Sequence, residues 1–93
     1  MIKKVGGEIV WATDRARWKQ VADELRHRIR DGEYKPRYPI PSLNQLHQEF
    51  QVAKNTIRKV VVQLVNEGYV RAEHGVATFV RPKEDWPPAQ DDE

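Results

Sequence analysis

Apolar side chains recur along this 93-residue chain with two different periods, and the change of period divides it. Trp18, Val21, Ala22, Leu25 and Ile29 fall three and four residues apart, the spacing of one helical face. They predict a first helix over about residues 14–30, with Thr13 and Asp14 as candidate N-caps and Gly32 just past its end. Residues 33–41 read Glu-Tyr-Lys-Pro-Arg-Tyr-Pro-Ile-Pro, and three prolines within six positions hold them extended. Ser42 then opens a second helix, with Gln45 as its capping-box partner and Leu43, Leu46 and Phe50 as its buried stripe. Gln51-Val52-Ala53 has room only for a tight turn. A third helix follows over about residues 54–66, buried through Ile57, Val60, Val61 and Leu64 and stopping at Gly68. Beyond it the period falls to two. Residues 69–73 and 76–80 alternate as strands do around a two-residue His74-Gly75 turn, which predicts a β-hairpin.

The ends read differently. Ile9-Val10-Trp11 follows a Gly6-Gly7 pair and is expected to pack on the body as an arm or edge strand. Residues 83–93 are acidic and proline-rich with no apolar period, so they are expected to be disordered. The chain thus divides into an N-terminal arm (1–12), a folded domain (13–82) and an acidic tail (83–93). Its predicted class is α+β, mainly α: a winged helix-turn-helix of three helices plus a C-terminal β-hairpin wing.

Composition narrows the chemistry. The chain has no cysteine, which excludes disulfides, zinc fingers of the usual kind and thiol catalysis. No apolar run approaches the roughly 20 residues that cross a membrane. Met1-Ile2-Lys3-Lys4 begins as a signal peptide does, but Gly6, Gly7 and Glu8 interrupt it, and a cytoplasmic location is expected. Net charge is +2, unevenly spread. Residues 1–80 carry 14 Lys and Arg against 9 Asp and Glu, a net of +5, whereas residues 81–93 carry 2 against 5, a net of −3. A basic domain suits a polyanionic partner.

On the third helix, at about 100° per residue, Asn55, Arg58 and Lys59 fall opposite the buried stripe and Lys54 falls at its flank. These are residues of the first turn and a half, where a recognition helix meets base edges in the major groove. Asn reads adenine with two hydrogen bonds and Arg reads guanine. An enzyme finds no support in the residues. His27, His47 and His74 lie on different elements without metal-ligand spacing, Asp23 and Glu24 point in different directions, and Ser42 serves better as a cap than as a nucleophile. No cofactor, metal or small-molecule effector is implied. His47 reads as a surface histidine and Trp18 as core. Trp11 and Trp86 leave open a second reading, a winged helix that binds protein, with Trp11 at a dimer contact or Trp86 as a docking motif. RNA is disfavoured, because the A-form major groove is too narrow for a recognition helix.

Residues 17–80 resemble the N-terminal DNA-binding domain of the GntR family of bacterial regulators. The resemblance lies in Gln20-Val21-Ala22-Asp23-Glu24-Leu25-Arg26, Ile29-Arg30-Asp31-Gly32, Pro41-Ser42, Lys54-Asn55-Thr56-Ile57-Arg58, Leu64-Val65-Asn66-Glu67-Gly68-Tyr69-Val70, and Gly75 with Thr78-Phe79-Val80. It implies a DNA contact from Asn44 on the second helix. It implies base and phosphate contacts from Lys54, Asn55, Thr56 and Arg58, and a wing tip at His74 and Gly75 that enters the minor groove. Lys59 is expected to meet phosphate beside the helix. The chain departs from the family pattern at Leu43, usually acidic, at Val52-Ala53-Lys54, usually small-Ser-Arg, and at Ala77, usually glycine. Ala53 cannot cap, and Lys54 keeps the charge of Arg without its planar fork. Family members normally continue into an effector-binding and dimerising domain. This chain stops about 13 residues after the wing, so it is either a free-standing regulator or part of a longer one, and its acidic end favours the first. The expected partner is double-stranded DNA, bound as a homodimer on an inverted repeat. The expected action is transcription regulation by a repressor that occupies its operator.

Overall fold

A computed structural model describes residues 2–88. Strands β1 (Lys3–Val5) and β2 (Glu8–Val10) precede helices α1 (Arg17–Asp31), α2 (Leu43–Phe50) and α3 (Lys54–Glu67). Strands β3 (Val70–Glu73) and β4 (Ala77–Val80) follow, and a single 3-10 turn, Lys83–Asp85, comes after them. This is the winged helix-turn-helix order: three helices, then an antiparallel hairpin.

The core forms where the three helical stripes and the base of the wing meet. Val21, Leu25 and Ile29 of α1, Leu46 and Phe50 of α2, and Ile57, Val60 and Leu64 of α3 are all buried. Ile40, Val52, Tyr69, Val70 and Val80 close the cluster. Burying each such side chain contributes roughly 1.5–3 kcal/mol, so the helical period seen in the sequence is the period of the core. Only α2 starts with a side-chain cap. Ser42 Oγ accepts from Gln45 N at 3.2 Å, and Gln45 Oε1 accepts from Ser42 N at 2.8 Å.

Four sequence expectations are corrected. First, α1 starts at Arg17, not at residue 14, and its N-cap is Ala16 rather than Thr13 or Asp14. Gln20, itself buried, supplies the reason. Its side chain accepts from Ala12 N (2.9 Å) and donates to the carbonyls of Ala12 and Arg15 (3.1 and 3.0 Å). This holds residues 12–15 in a non-helical path over the first turn. Second, the N-terminal arm is a hairpin, not a single strand. Gly6 and Gly7 sit at φ +59° and +85°, which a two-residue turn between paired Val5 and Glu8 requires. Ile2, Ile9 and Trp11 pack against the core from this hairpin.

Third, the wing loop holds three residues, not two. Glu73 pairs with Ala77, and Val76 N donates to Glu73 O at 2.9 Å, so Val76 leaves the strand and is 70 % exposed. Fourth, the acidic tail is ordered over residues 83–88. The half-buried Trp86 ring lies 6.1 Å from the Tyr69 ring, and its Nε1–H donates to Arg81 O at 2.9 Å. Arg30 Nη2 donates to Pro87 O at 2.7 Å. The apolar period could not show this, because one aromatic side chain and backbone bonds hold the segment. The rest of the expected tail, 89–93, lies outside the described residues.

The proline segment supports the wing. Ile40 N donates to Thr78 O (2.9 Å), Val80 N to Tyr38 O (2.9 Å) and Arg37 N to Val80 O (2.8 Å). β4 thus lies between β3 and residues 37–40. Pro39 bridges to Phe79 at this outer edge, where a missing N–H is tolerated. Beneath the hairpin, Gly68 sits at φ +95°, and a Cβ there would meet Asp85 O at 3.0 Å, so the segment after the wing lies directly on the end of α3.

Trp86→Ala should therefore destabilise the domain. Deleting a fully buried Trp costs about 3–5 kcal/mol, and a half-buried one about 2 kcal/mol. Urea unfolding measures it. A loss below about 0.5 kcal/mol would show that residues 83–88 do not brace the wing.

Candidate nucleic-acid interface

With Ile57, Val60 and Leu64 at 0 % exposure, α3 turns Asn55, Arg58, Lys59 and Val62 away from the core, all exposed. At about 100° per residue these four span about 100° of the helix. Arg58 Nη1 donates to Asn55 Oδ1 at 2.6 Å, so these two side chains are fixed to one another. Lys54, also exposed, is the first residue of α3, and Thr56 is half-buried. The N-cap is Ala53, without a side-chain hydrogen bond, and the first turn has no acidic residue. A lysine at the positive end of the helix dipole opposes helix stability and favours an incoming anion.

Lys59 stands with its Nζ 4.5 Å above the Trp18 ring, and Lys19 Nζ lies 6.0 Å from the same ring. Trp18 is thus corrected from core to the rim: it is half-buried beneath two cations. Asn44 is exposed in the first turn of α2. His47 is corrected from a surface histidine. It is half-buried, with Nδ1 2.6 Å from Val52 O across the tight turn, where Gln51 takes φ +57°. His74 and Gly75 are exposed at the wing tip.

Among the described residues, the one side-chain hydrogen bond between two of the eight candidate residues is Arg58 to Asn55. Arg58 also borders an open groove of about 600 Å³ between α2, α3 and the wing, with Leu43, Val61, Val62, Val76 and Thr78. Val61 is therefore half-buried rather than core. Val62 and Val76, which are not among the site residues expected from the sequence, are 58 % and 70 % exposed. The signal for Val62 was present: it lies seven residues after Asn55 and four after Arg58, on the polar face.

Ion pairs fix how α3 is held. Arg26 of α1 donates from Nε and Nη2 to the two carboxylate oxygens of Glu67, each at 2.7 Å. Gln63 adds a third bond to Glu67 at 2.7 Å, and Asp23 accepts from Arg26 at 2.6 Å. Hydrogen bonding to Glu67 outweighs burial and raises the Arg26 pKa. Burial alone would raise Glu67, but its bonds from Arg26 and Gln63 and the charge of Arg26 hold it below its ordinary value. A second node ties α1 to α2. Arg28 binds Glu24 (3.0 Å), Glu49 (3.1 Å from Nη1) and the Tyr34 hydroxyl (2.6 Å). Burial opposes its charge, but these partners outweigh that and raise its pKa.

The Glu67 shift carries a pH dependence. A carboxylate lowered in the folded state adds stability above its unfolded value, near 4.5, and loses it as pH falls through the folded value. Unfolding midpoints of the wild type and Glu67→Gln should therefore differ at pH 7 and converge below about pH 4.5. Parallel curves would show that the Arg26–Glu67 pair contributes nothing to folding.

The sequence profile of "Bacterial regulatory proteins, gntR family" matches residues 17–80. The HTH-type transcriptional repressor NagR of Bacillus subtilis is 35 % identical over 65 residues, 69 % of this chain and 27 % of that protein. The mannosyl-D-glycerate transport/metabolism system repressor MngR of Escherichia coli is 34 % identical over 64 residues, 69 % of this chain and 27 % of that protein. The chain thus spans about a quarter of the length of these two relatives. Among solved structures, the DNA-binding domain of AraR in complex with operator ORX1 superposes with a TM-score of 0.69 at 32 % identity. It covers 76 % of this chain and 92 % of that one. The N-terminal domain of AraR in complex with mutant ORR3 gives 0.71 at 35 %, over 74 % and 99 %.

Proposed function

Since the chain belongs to the gntR family of bacterial regulatory proteins, we propose that it is a sequence-specific, double-stranded DNA-binding transcriptional regulator that represses by occupying its operator. The observation that carries this reading is the outward face of α3. Asn55, Arg58 and Lys59 stand exposed on a helix whose opposite face buries Ile57, Val60 and Leu64, beside an uncapped N-terminus with a lysine at its first position. The similarity to AraR domains in complex with operators supports it.

In this reading residues 13–82 are the DNA-binding domain. The first turn and a half of α3 enters the major groove with Lys54, Asn55, Thr56 and Arg58. His74 and Gly75 enter the adjacent minor groove, Asn44 contacts the DNA from α2, and Lys59 meets phosphate. One helix and one wing touch few phosphates, so two protomers bind an inverted repeat in the cytoplasm, and two-fold symmetry doubles the contacts. Occupancy alone blocks transcription, and the mechanism calls on no enzyme activity, cofactor or effector.

Fluorescence anisotropy on duplexes flanking the protein's own gene tests the reading. With about 6–8 phosphates neutralised per dimer, log K should fall against log[salt] with a slope of roughly −5 to −7. A slope near zero excludes DNA as the partner. Lys59→Ala should weaken operator and random duplex by similar factors and reduce the slope by about 1. A footprint with one protomer on an asymmetric site would refute the dimer.

A further inference from the structure

We infer that Asn55 and Arg58 act as one hydrogen-bond-donating unit that selects guanine, rather than as two side chains reading separate bases. The inference rests on α3 entering the major groove. An asparagine amide has one acceptor atom, Oδ1, with two lone pairs, and two donor hydrogens on Nδ2. To read adenine, Oδ1 must accept from the adenine 6-amino group while Nδ2 donates to N7. Here Oδ1 already accepts from the Arg58 guanidinium at 2.6 Å. A charge-assisted bond of this kind is short and strong. An amino group brought to Oδ1 would meet a cation that repels its hydrogens.

What the pair leaves free is donors. Asn55 offers its two amide hydrogens, and Arg58 offers the four of its five N–H groups not spent on Asn55. Guanine shows two adjacent major-groove acceptors, O6 and N7. Adenine shows an amino group in place of O6, cytosine a donor, and thymine a single acceptor beside a methyl. Only guanine meets the pair with acceptors alone, in the two-acceptor geometry that an arginine fork fits. A phosphate is also an acceptor. The base edge is favoured because Arg58 stands beside the exposed apolar side chains Val62 and Val76, which suit base edges better than the charged backbone. Fixing the two side chains to each other before DNA arrives also reduces the freedom lost on binding.

Selection of the full chain against a random 30-base-pair duplex library, followed by base-analogue substitution in the winning duplex, tests this. The expected motif contains a guanine whose preference is relaxed at the same position by Asn55→Ala and by Arg58→Ala. Replacing that guanine with 7-deazaguanine, which lacks N7, or with 2,6-diaminopurine, which has an amino group for O6, should each lower affinity roughly tenfold. Inosine keeps both acceptors and should bind as guanine does. The inference is overturned if Asn55→Ala relaxes an adenine at a different position from Arg58→Ala. It is overturned equally if both variants weaken selected and scrambled duplexes by the same factor, which would make the pair a phosphate clamp. In both cases the DNA-binding reading survives. A chain that binds no duplex at all overturns both.

Discussion

The presentation of α3 depends on its contact with α1. A helix that shows a polar face to a partner must spend the other face on the core, and Ile57, Val60 and Leu64 do so against Val21, Leu25 and Ile29, all at 0 % exposure. Six such side chains outweigh the roughly 0.5–2 kcal/mol that a helix cap is worth. That is why α1 and α3 can each have an alanine at the N-cap with no side-chain cap. With eight residues, α2 buries less and carries a complete capping box. The bidentate Arg26–Glu67 pair lies at the edge of the α1–α3 contact and fixes the rotation of α3. Its direction is a property of the whole bundle.

The wing follows a similar logic. A two-stranded hairpin is marginal alone. Here residues 37–40 flank β4 on one side, and Trp86 packs against Tyr69 below. The prolines of the connecting segment keep it extended along the strand. Tyr69 is the shared support: its ring meets Trp86, its hydroxyl accepts from Arg30 at 2.8 Å, and its carbonyl accepts from Arg81 N. The base of the wing is thereby fastened to α1, α3 and the segment that follows, while its tip extends into solvent.

The outward chemistry is arranged in pairs. Arg58 holds Asn55, and Lys59 stands over Trp18, where a cation above an indole face gains about 0.5–1 kcal/mol at an exposed site. Each pairing leaves donors or positive charge facing out, and the Arg58–Asn55 bond sets a cation against Oδ1, the one acceptor among these four side chains. The dipole of α3 and Lys54 at its start act in the same direction. The face is suited to a partner rich in acceptors and negative charge, while Asp23 and Glu24 of α1, Glu49 of α2 and Glu67 of α3 are engaged by Arg26 and Arg28.

The sequence by itself determined the order of the three helices and the wing, most of the buried stripes, the capping box, the extended proline segment and the exposure of Asn55, Arg58 and Lys59. Each of these follows from side-chain period or from the local preference of a single residue, and both are written along the chain. Tertiary structure alone decided the rest. The start of α1 moved because Gln20, eight residues on, captures the backbone of Ala12. The tail became ordered because Trp86 meets Tyr69 and Arg30 reaches Pro87. The wing gained a third flanking segment from residues 37–40. Asn55, which alone suits adenine, is bound to Arg58 through a rotamer that periodicity does not specify. Period reports which way a side chain points from its own element. Which neighbour it meets there is set by how the elements pack, and that determines what it can still donate or accept.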